Sequence, residues 1–242
     1  MWEWIEKVII ISLREEKVRR EKARDELKKV GLDTKIEFYI AERHPNGGRQ
    51  GCHESHVNVI KKCHNEGLKN VIIMEDDVKV SKNLNLDKLQ KYSDRLQNFV
   101  TKSNFSNENA ILYLGYMLVP DLFPKNVGFD GIKKVKKTTM MHAYIPSFKS
   151  LQKLKDVKYE GVHIDWLWGV KSKYVKRKYI FIPIIFSQND LGSTVTPLNT
   201  ILQKTIGFEN ATSFVNHFSF FWWLYLIVFL LIIIVFYVYY IK

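Results

Sequence analysis

The sequence predicts an α/β fold in which buried strands alternate with amphipathic helices and end on a common sheet edge. VIIIS (8–12), IEFYI (36–40) and VIIM (71–74) are apolar runs of strand length, nearly continuous, as strands covered on both faces require. Between the first two, Ala23, Leu27 and Val30 recur at helical spacing and are closed by Gly31. Between the second and third, CHESHVNVIKKCHNEG (52–67) has helical spacing with Gly67 as its stop. The order strand, helix, strand, helix, strand implies a parallel sheet with right-handed crossovers, whose strands deliver ligand-binding residues to one edge.

Downstream, Leu89, Tyr92, Leu96 and Phe99 predict a further helix, and AILYLGY (110–116) and TTMMHAYI (138–145) predict strands. YIFIPIIF (179–186) reads as a strand interrupted by Pro183. Residues 120–137 and 187–213 read as loops, and no internal repeat is present.

The end of the chain obeys different physics. From Phe218 to Ile241 no residue is charged, and at about 1.5 Å per residue such a helix spans a hydrocarbon core of about 30 Å. Aromatic residues cluster at both ends of this stretch, as in interfacial belts. The N-terminus has no basic leader, so the expectation is a C-terminal tail anchor. KSKYVKRKY (171–179) and Lys204 favour a cytosol-facing domain, while NFS at 104 and NAT at 210 are glycosylation patterns that would matter only in a lumen. The expected division is a domain over 1–195, a linker over 196–217 and a membrane helix over 218–241.

The net charge of +12 is compatible with a nucleic acid, an anionic membrane surface or a phosphorylated substrate. The lysines are scattered, however, and neither a Walker-type glycine-rich loop nor a nucleic-acid motif appears, so nucleic acid is not an expected partner. Cys52 and Cys63 share a helical face with His56, Val59 and Ile60, which favours buried thiols over a disulfide or zinc.

The stretch VIIMEDDVKV (71–80) runs from a buried strand into three acids. Side chains alternate along a strand, so Glu75 and Asp77 are expected on one side and Asp76 on the other. Two carboxylates on one side form half a site for Mn2+ or Mg2+, which take oxygen ligands and substrate phosphates. A solvated acidic turn is the alternative.

GCHESH (51–56), followed by a helix and VIIMEDDV, resembles the Gly-Cys-x-x-Ser-His to Glu-Asp-Asp spacing of glycosyltransferase family 25, which includes lipopolysaccharide and procollagen sugar transferases. IISLREEKVRR, YLG (113–115), HAYIPS (142–147), Asp165 with Trp166, and PIIFSQNDLGS (183–193) resemble further segments of that family, in the same order. The resemblance spans roughly residues 7 to 195. It implies a GT-A-like, Rossmann-type domain binding a nucleotide-diphosphate sugar, and inverting transfer of a hexose from a UDP-sugar donor. The acceptor would be a hydroxyl of a glycan, a lipid-linked glycan or a protein.

The same resemblance suggests the site. Glu75 and Asp77 would hold the cation, with Asp76 orienting the ribose or sugar. His142 would reach the metal or phosphate, or else serve as a core histidine. Ser55 and His56 would line the donor pocket, or cap and pack their helix. Arg14 and Arg19, after the first strand, would meet the diphosphate unless they belong to a solvated helix face. Gln188 and Asp190 would close the site, or belong to a plain polar loop, and Asp165 would be the base that takes the acceptor proton, or a cap of the helix WLWGV. The loop ERHPNGGRQG is short for the family and lacks an acidic Asp-Gly, and the middle region is compact. Two other function classes therefore stand beside a transferase: a non-catalytic membrane-anchored binding protein, and a metal-dependent nucleotide phosphotransferase or hydrolase.

Overall fold

A computed structural model describes residues 1–82, 84–118 and 124–188, together with 227, 229 and 231. Among the described residues no helix is long and apolar enough to cross a membrane. The expected membrane span falls, apart from those three positions, outside the described residues, as do Asp190 and the linker.

In chain order the elements are β1 (Lys7–Leu13), α1 (Lys17–Lys28), β2 (Ile36–Ala41), α2 (Gly48–Asn65), β3 (Val71–Glu75), β4 (Val78–Val80), α3 (Leu86–Lys102) and β5 (Ala110–Leu118). They continue with β6 (Lys125–Asn126), β7 (Ile132–Val135), β8 (Thr138–Pro146), α4 (Phe148–Leu154), β9 (Arg177–Phe181) and β10 (Phe186–Gln188). A short, wide helical turn covers Trp166–Val170. Gly31 and Gly67 follow α1 and α2 with φ of +70° each, the left-handed geometry that ends a helix without a Cβ penalty.

The large sheet has the order β2-β1-β3-β8-β5-β9-β7-β6. β1 pairs in parallel with both β2 and β3, as the strand and helix alternation predicts. The expectation of a wholly parallel sheet needs correction: β8 runs antiparallel to both β3 and β5. Its apolar run fits either direction, because burial on both faces selects the composition of a strand and not its polarity.

The loop expected over 120–137 contains the hairpin β6–β7, which covers the sheet's far edge. The expected strand over 179–186 is two strands. Pro183 has no N–H for the ladder, and beyond it the chain leaves the large sheet so that β10 pairs antiparallel with β4.

Alternation along the strands builds two apolar layers. Val8, Ile10, Ile72 and Met74 pack with Ala23 and Leu27 of α1 and Leu96 and Phe99 of α3. Ile9, Val71 and Ile73 pack on the other face with Val59, Ile60 and Cys63 of α2 and Leu151 and Leu154 of α4. Consecutive helices thus cover opposite faces, and the chain reverses its direction of travel across the sheet at β1 and β3. Their C-terminal ends flank a crevice of the kind in which open α/β sheets bind ligands.

Candidate active site

A cavity of about 370 Å³ occupies that crevice. Its walls come from the end of β1 (Ile11, Ser12, Leu13), from Arg19 of α1, from the segment after β2 (Glu42, Arg43, His44), from the first turns of α2, and from Glu75, Asp76 and Asp77; Gln188 closes one side. Of the expected site residues, Arg19, Ser55, His56, Glu75, Asp76, Asp77 and Gln188 line the cavity, whereas Arg14, His142 and Asp165 do not.

The acids lie where the sequence places them but do not alternate as expected. β3 ends at Glu75 and the next two residues form a turn, so the strand rule no longer separates Asp76 from Asp77. Both face Arg19, whose Nε is 3.0 Å from Asp76 Oδ1 and whose Nη2 is 3.1 Å from Asp77 Oδ2. Glu75, close enough for its charge to act on Asp77, makes its own side-chain contacts toward α2 and β10. Its Oε1 lies 3.4 Å from His56 Nε2 and 4.0 Å from Cys52 Sγ, and its Oε2 accepts from Gln188 Nε2 at 3.4 Å.

The electrostatics follow from this arrangement. Burial, with the charges of Glu75 and Asp76 added and only partly offset by Arg19, pushes the Asp77 carboxyl up to about 8. Burial also raises Asp76, against the Ser12 hydroxyl and Arg19. At Glu75 burial is outweighed by the hydrogen bond and charge of His56 and by the charges of His142 and Arg19, so this carboxyl sits below its ordinary value.

Asp77 Oδ1 is buried and has no hydrogen-bond partner. An orphaned carboxylate oxygen beside a second acid is chemically suited to a hard divalent cation, so Glu75 and Asp77 fit the expected group. His142 is less readily available to it: its Nε2 is 3.1 Å from the carbonyl oxygen of Phe186, and burial lowers its affinity for a proton. The side chain occupies the space that Gly115 leaves open on β5. Glu75, Asp77 and His142 do not form a compact ligand cluster; among the described residues that cluster is Cys52, His56 and Glu75.

The remaining expected residues have definite places. Arg14 is an exposed partner of Glu42. Ser55 lies inside α2, which begins at Gly48, and its hydroxyl donates to Gly51 O at 2.7 Å rather than capping the helix. His56 Nδ1 is 2.9 Å from Tyr144 Oη. Asp165 is the cap of the turn after it, accepting from Trp166 N at 2.7 Å and from Met140 N at 3.3 Å.

Two participants are not among the expected set. Arg20 donates to Ser12 Oγ at 3.0 Å and to Arg14 O at 3.0 Å, bracing the turn between β1 and α1; its place in the run REEKVRR was the available signal. Cys52 is half-buried at the cavity wall, packed against the rim of the apolar layer in which Cys63 is fully buried. Burial, followed by the charges of Glu75, Asp165 and Asp77, pushes its thiol well above the ordinary range.

The family model for glycosyltransferase family 25 (LPS biosynthesis protein) matches residues 39–168, from β2 through the α2 and β3 site residues to the turn after Asp165. The chain belongs to this family. No curated protein matches the sequence. Among solved structures, this family 25 member is similar to a UDP-glucose pyrophosphorylase complexed with UDP-glucose, at 9% identity and a TM-score of 0.45, with 73% of this chain and 90% of the other covered. It is also similar to a glycosyltransferase involved in the glycosylation of the major capsid of PBCV-1, at 12% identity and 0.41, covering 77% and 96%. A mannose-1-phosphate geranyltransferase from Thermus thermophilus aligns at 10% identity and 0.43, covering 72% of each chain.

Proposed function

We propose that this family 25 glycosyltransferase moves a hexose, galactose or glucose, from a UDP-sugar to a hydroxyl of a glycan, a lipid-linked glycan or a protein, with inversion at the anomeric carbon. The observation that carries the reading is the convergence of Glu75, Asp76, Asp77 and Arg19 on one cavity at the β1 and β3 strand ends, within and beside the matched segment. A plain binding module has no need of three acids there, two of which burial makes costly to ionise.

The donor's diphosphate lies over the turn between β1 and α1, where the Arg19 guanidinium supplies fixed positive charge and the Ser12 hydroxyl a donor. Asp76 orients a ribose or sugar hydroxyl. Mn2+ or Mg2+ held by Glu75 and Asp77 would neutralise the charge that gathers on UDP as it leaves. Asp165 lies outside the cavity wall but near enough for its charge to act on Cys52, which lines it; fixed by the N–H groups of Met140 and Trp166, it takes the proton from an acceptor hydroxyl that docks on that side. In-line attack from the face opposite UDP gives inversion. The apolar stretch 218–241 anchors the chain with its domain on the cytosolic side, which places the acceptor at a membrane surface.

The test is turnover of a panel of UDP-hexoses, with and without Mn2+, by the wild-type and Asp77→Asn proteins. Cation-dependent turnover of one donor, lost in the variant, is expected; equal turnover of nucleotide diphosphates lacking a sugar would instead favour a phosphohydrolase.

A further inference from the structure

We propose that Cys52, His56 and Glu75 form a site for a borderline-soft divalent cation, Zn2+ in the first place, with a ligand set different from the carboxylate pair suited to Mn2+ or Mg2+. Cys52 and His56 are four residues apart on α2, so their side chains stand over one another on one helix face. Glu75, the last residue of β3, brings its carboxylate to that face.

The spacing suits a tetrahedral ion. Ligands at zinc bond lengths of roughly 2.0 to 2.3 Å stand about 3.3 to 3.7 Å from each other. His56 Nε2 and Glu75 Oε1 are already 3.4 Å apart, and Cys52 Sγ, 4.0 Å from the same oxygen, closes on the pair by a side-chain rotation. All three ligand atoms lie within 4.8 Å of one another.

The surroundings of the three side chains resemble the outer shell of a metal site. His56 uses Nδ1 toward Tyr144 Oη at 2.9 Å, which fixes the ring with Nε2 aimed at Glu75. Gln188 donates to the second oxygen of Glu75. Such partners orient ligands and raise metal affinity.

The ligand chemistry selects the ion. One thiolate, one imidazole and one carboxylate favour Zn2+, whereas Mg2+ and Mn2+ prefer oxygen throughout. The three residues line the cavity, so the fourth position opens to water or a phosphate oxygen, the arrangement of an open zinc site. As the sulfur–metal bond forms, the Cys52 proton is released to solvent. Because Glu75 belongs to both ligand sets, a zinc ion here withdraws it from Asp77 and competes with the harder cation.

The experiment is a titration of the purified full-length chain in detergent with Co2+, followed by absorption. The expected result is a near-ultraviolet thiolate-to-cobalt charge-transfer band with intense tetrahedral visible bands, saturating at one equivalent and erased by Zn2+. These bands should vanish in Cys52→Ser, persist in Cys63→Ala and Asp77→Asn, and require roughly tenfold more cobalt in Tyr144→Phe. A wild-type spectrum of weak octahedral bands without a sulfur transition overturns the proposal whatever the variants do. So does a sulfur band that survives Cys52→Ser or disappears with Cys63→Ala. If Cys52→Ser does not fold, Glu75→Gln replaces it, with loss of the tetrahedral bands expected and an unchanged spectrum counting against the site.

Discussion

Arg19 Nη2 lies 3.1 Å from Asp77 Oδ2, while the Nε of the same guanidinium reaches Asp76 Oδ1 at 3.0 Å. One cation from α1 therefore ties together the two acids after β3, and four-fifths of its side chain is out of water. Arg19→Ala leaves Asp76, and the ionised fraction of Asp77, mostly buried without their counter-charge; at neutral pH Asp77 is largely protonated, so the loss falls mainly on Asp76. Removing one partner of a buried pair costs about 3 to 5 kcal/mol, and the remaining solvent contact brings the expected loss to about 2 to 4 kcal/mol. Urea denaturation at neutral pH measures it, with Arg19→Lys recovering part; a loss of a few tenths would show the pair to be solvent-screened.

The acids themselves should make stability depend on pH. Asp77 titrates at about 8 when folded against an ordinary 3.8. Between these values the folded state holds more protons than the unfolded chain, so its stabilising effect is complete below about pH 4 and is lost as pH rises toward 8. Asp77→Asn removes that dependence. Without added cations it should match the wild type near pH 4 and exceed it by about 1 to 3 kcal/mol at pH 8. Melting temperatures of both proteins across this range decide the point, and a difference that does not change with pH would mean that ionising Asp77 costs nothing.

The same residues show what can be read from order along the chain. β1 and β3 are legible because strands covered on both faces are runs of valine and isoleucine, the half-exposed edge strand β2 is legible from its aromatic and isoleucine content, and the acids after Met74 mark a strand end. The polarity of β8 is not legible, since Tyr144 and Ala143 would be buried in either direction. The hairpin β6–β7 is hidden because lysines occupy most of its paired positions, a composition shared with loops. Strand alternation fails at Asp76 and Asp77 because the strand stops one residue too soon. Cys52 has helical spacing with a buried cysteine, and nothing local reveals that α2 directs its first turns toward Glu75, which lies 23 residues further along.

The contact between β5 and β8 depends on an absent side chain. A Cβ on Gly115 would stand 2.2 Å from His142 Nε2 and 2.7 Å from the Phe186 carbonyl oxygen. The His142 ring and β10 cannot both remain in place beside an alanine, so Gly115→Ala is expected to cost about 1 to 3 kcal/mol of overpacking. It should also weaken donor binding, because β10 carries Gln188 into the cavity. Thermal melting and donor titration of the variant test both parts; a protein with unchanged melting would place His142 elsewhere.

Lys178 gives a test away from the cavity. It is buried on β9, in register with Ile111 of β5 and Val135 of β7, with Ser172 Oγ as acceptor for its amine. Burial, helped by the charge of Lys176, pulls its pKa down to about 8 from an ordinary 10.5. The unfolded chain then binds the extra proton between these values, so the penalty of burying the charge is complete below about pH 8 and fades as pH approaches 10.5. Lys178→Met keeps the length of the side chain and removes the charge. It should stabilise the fold by about 1 to 3 kcal/mol at pH 7, less what the lost bond to Ser172 contributed, and the gain should shrink toward pH 10. Denaturant midpoints at the two pH values measure this, and destabilisation at pH 7 would show that the amine is better satisfied in the folded state than its burial implies.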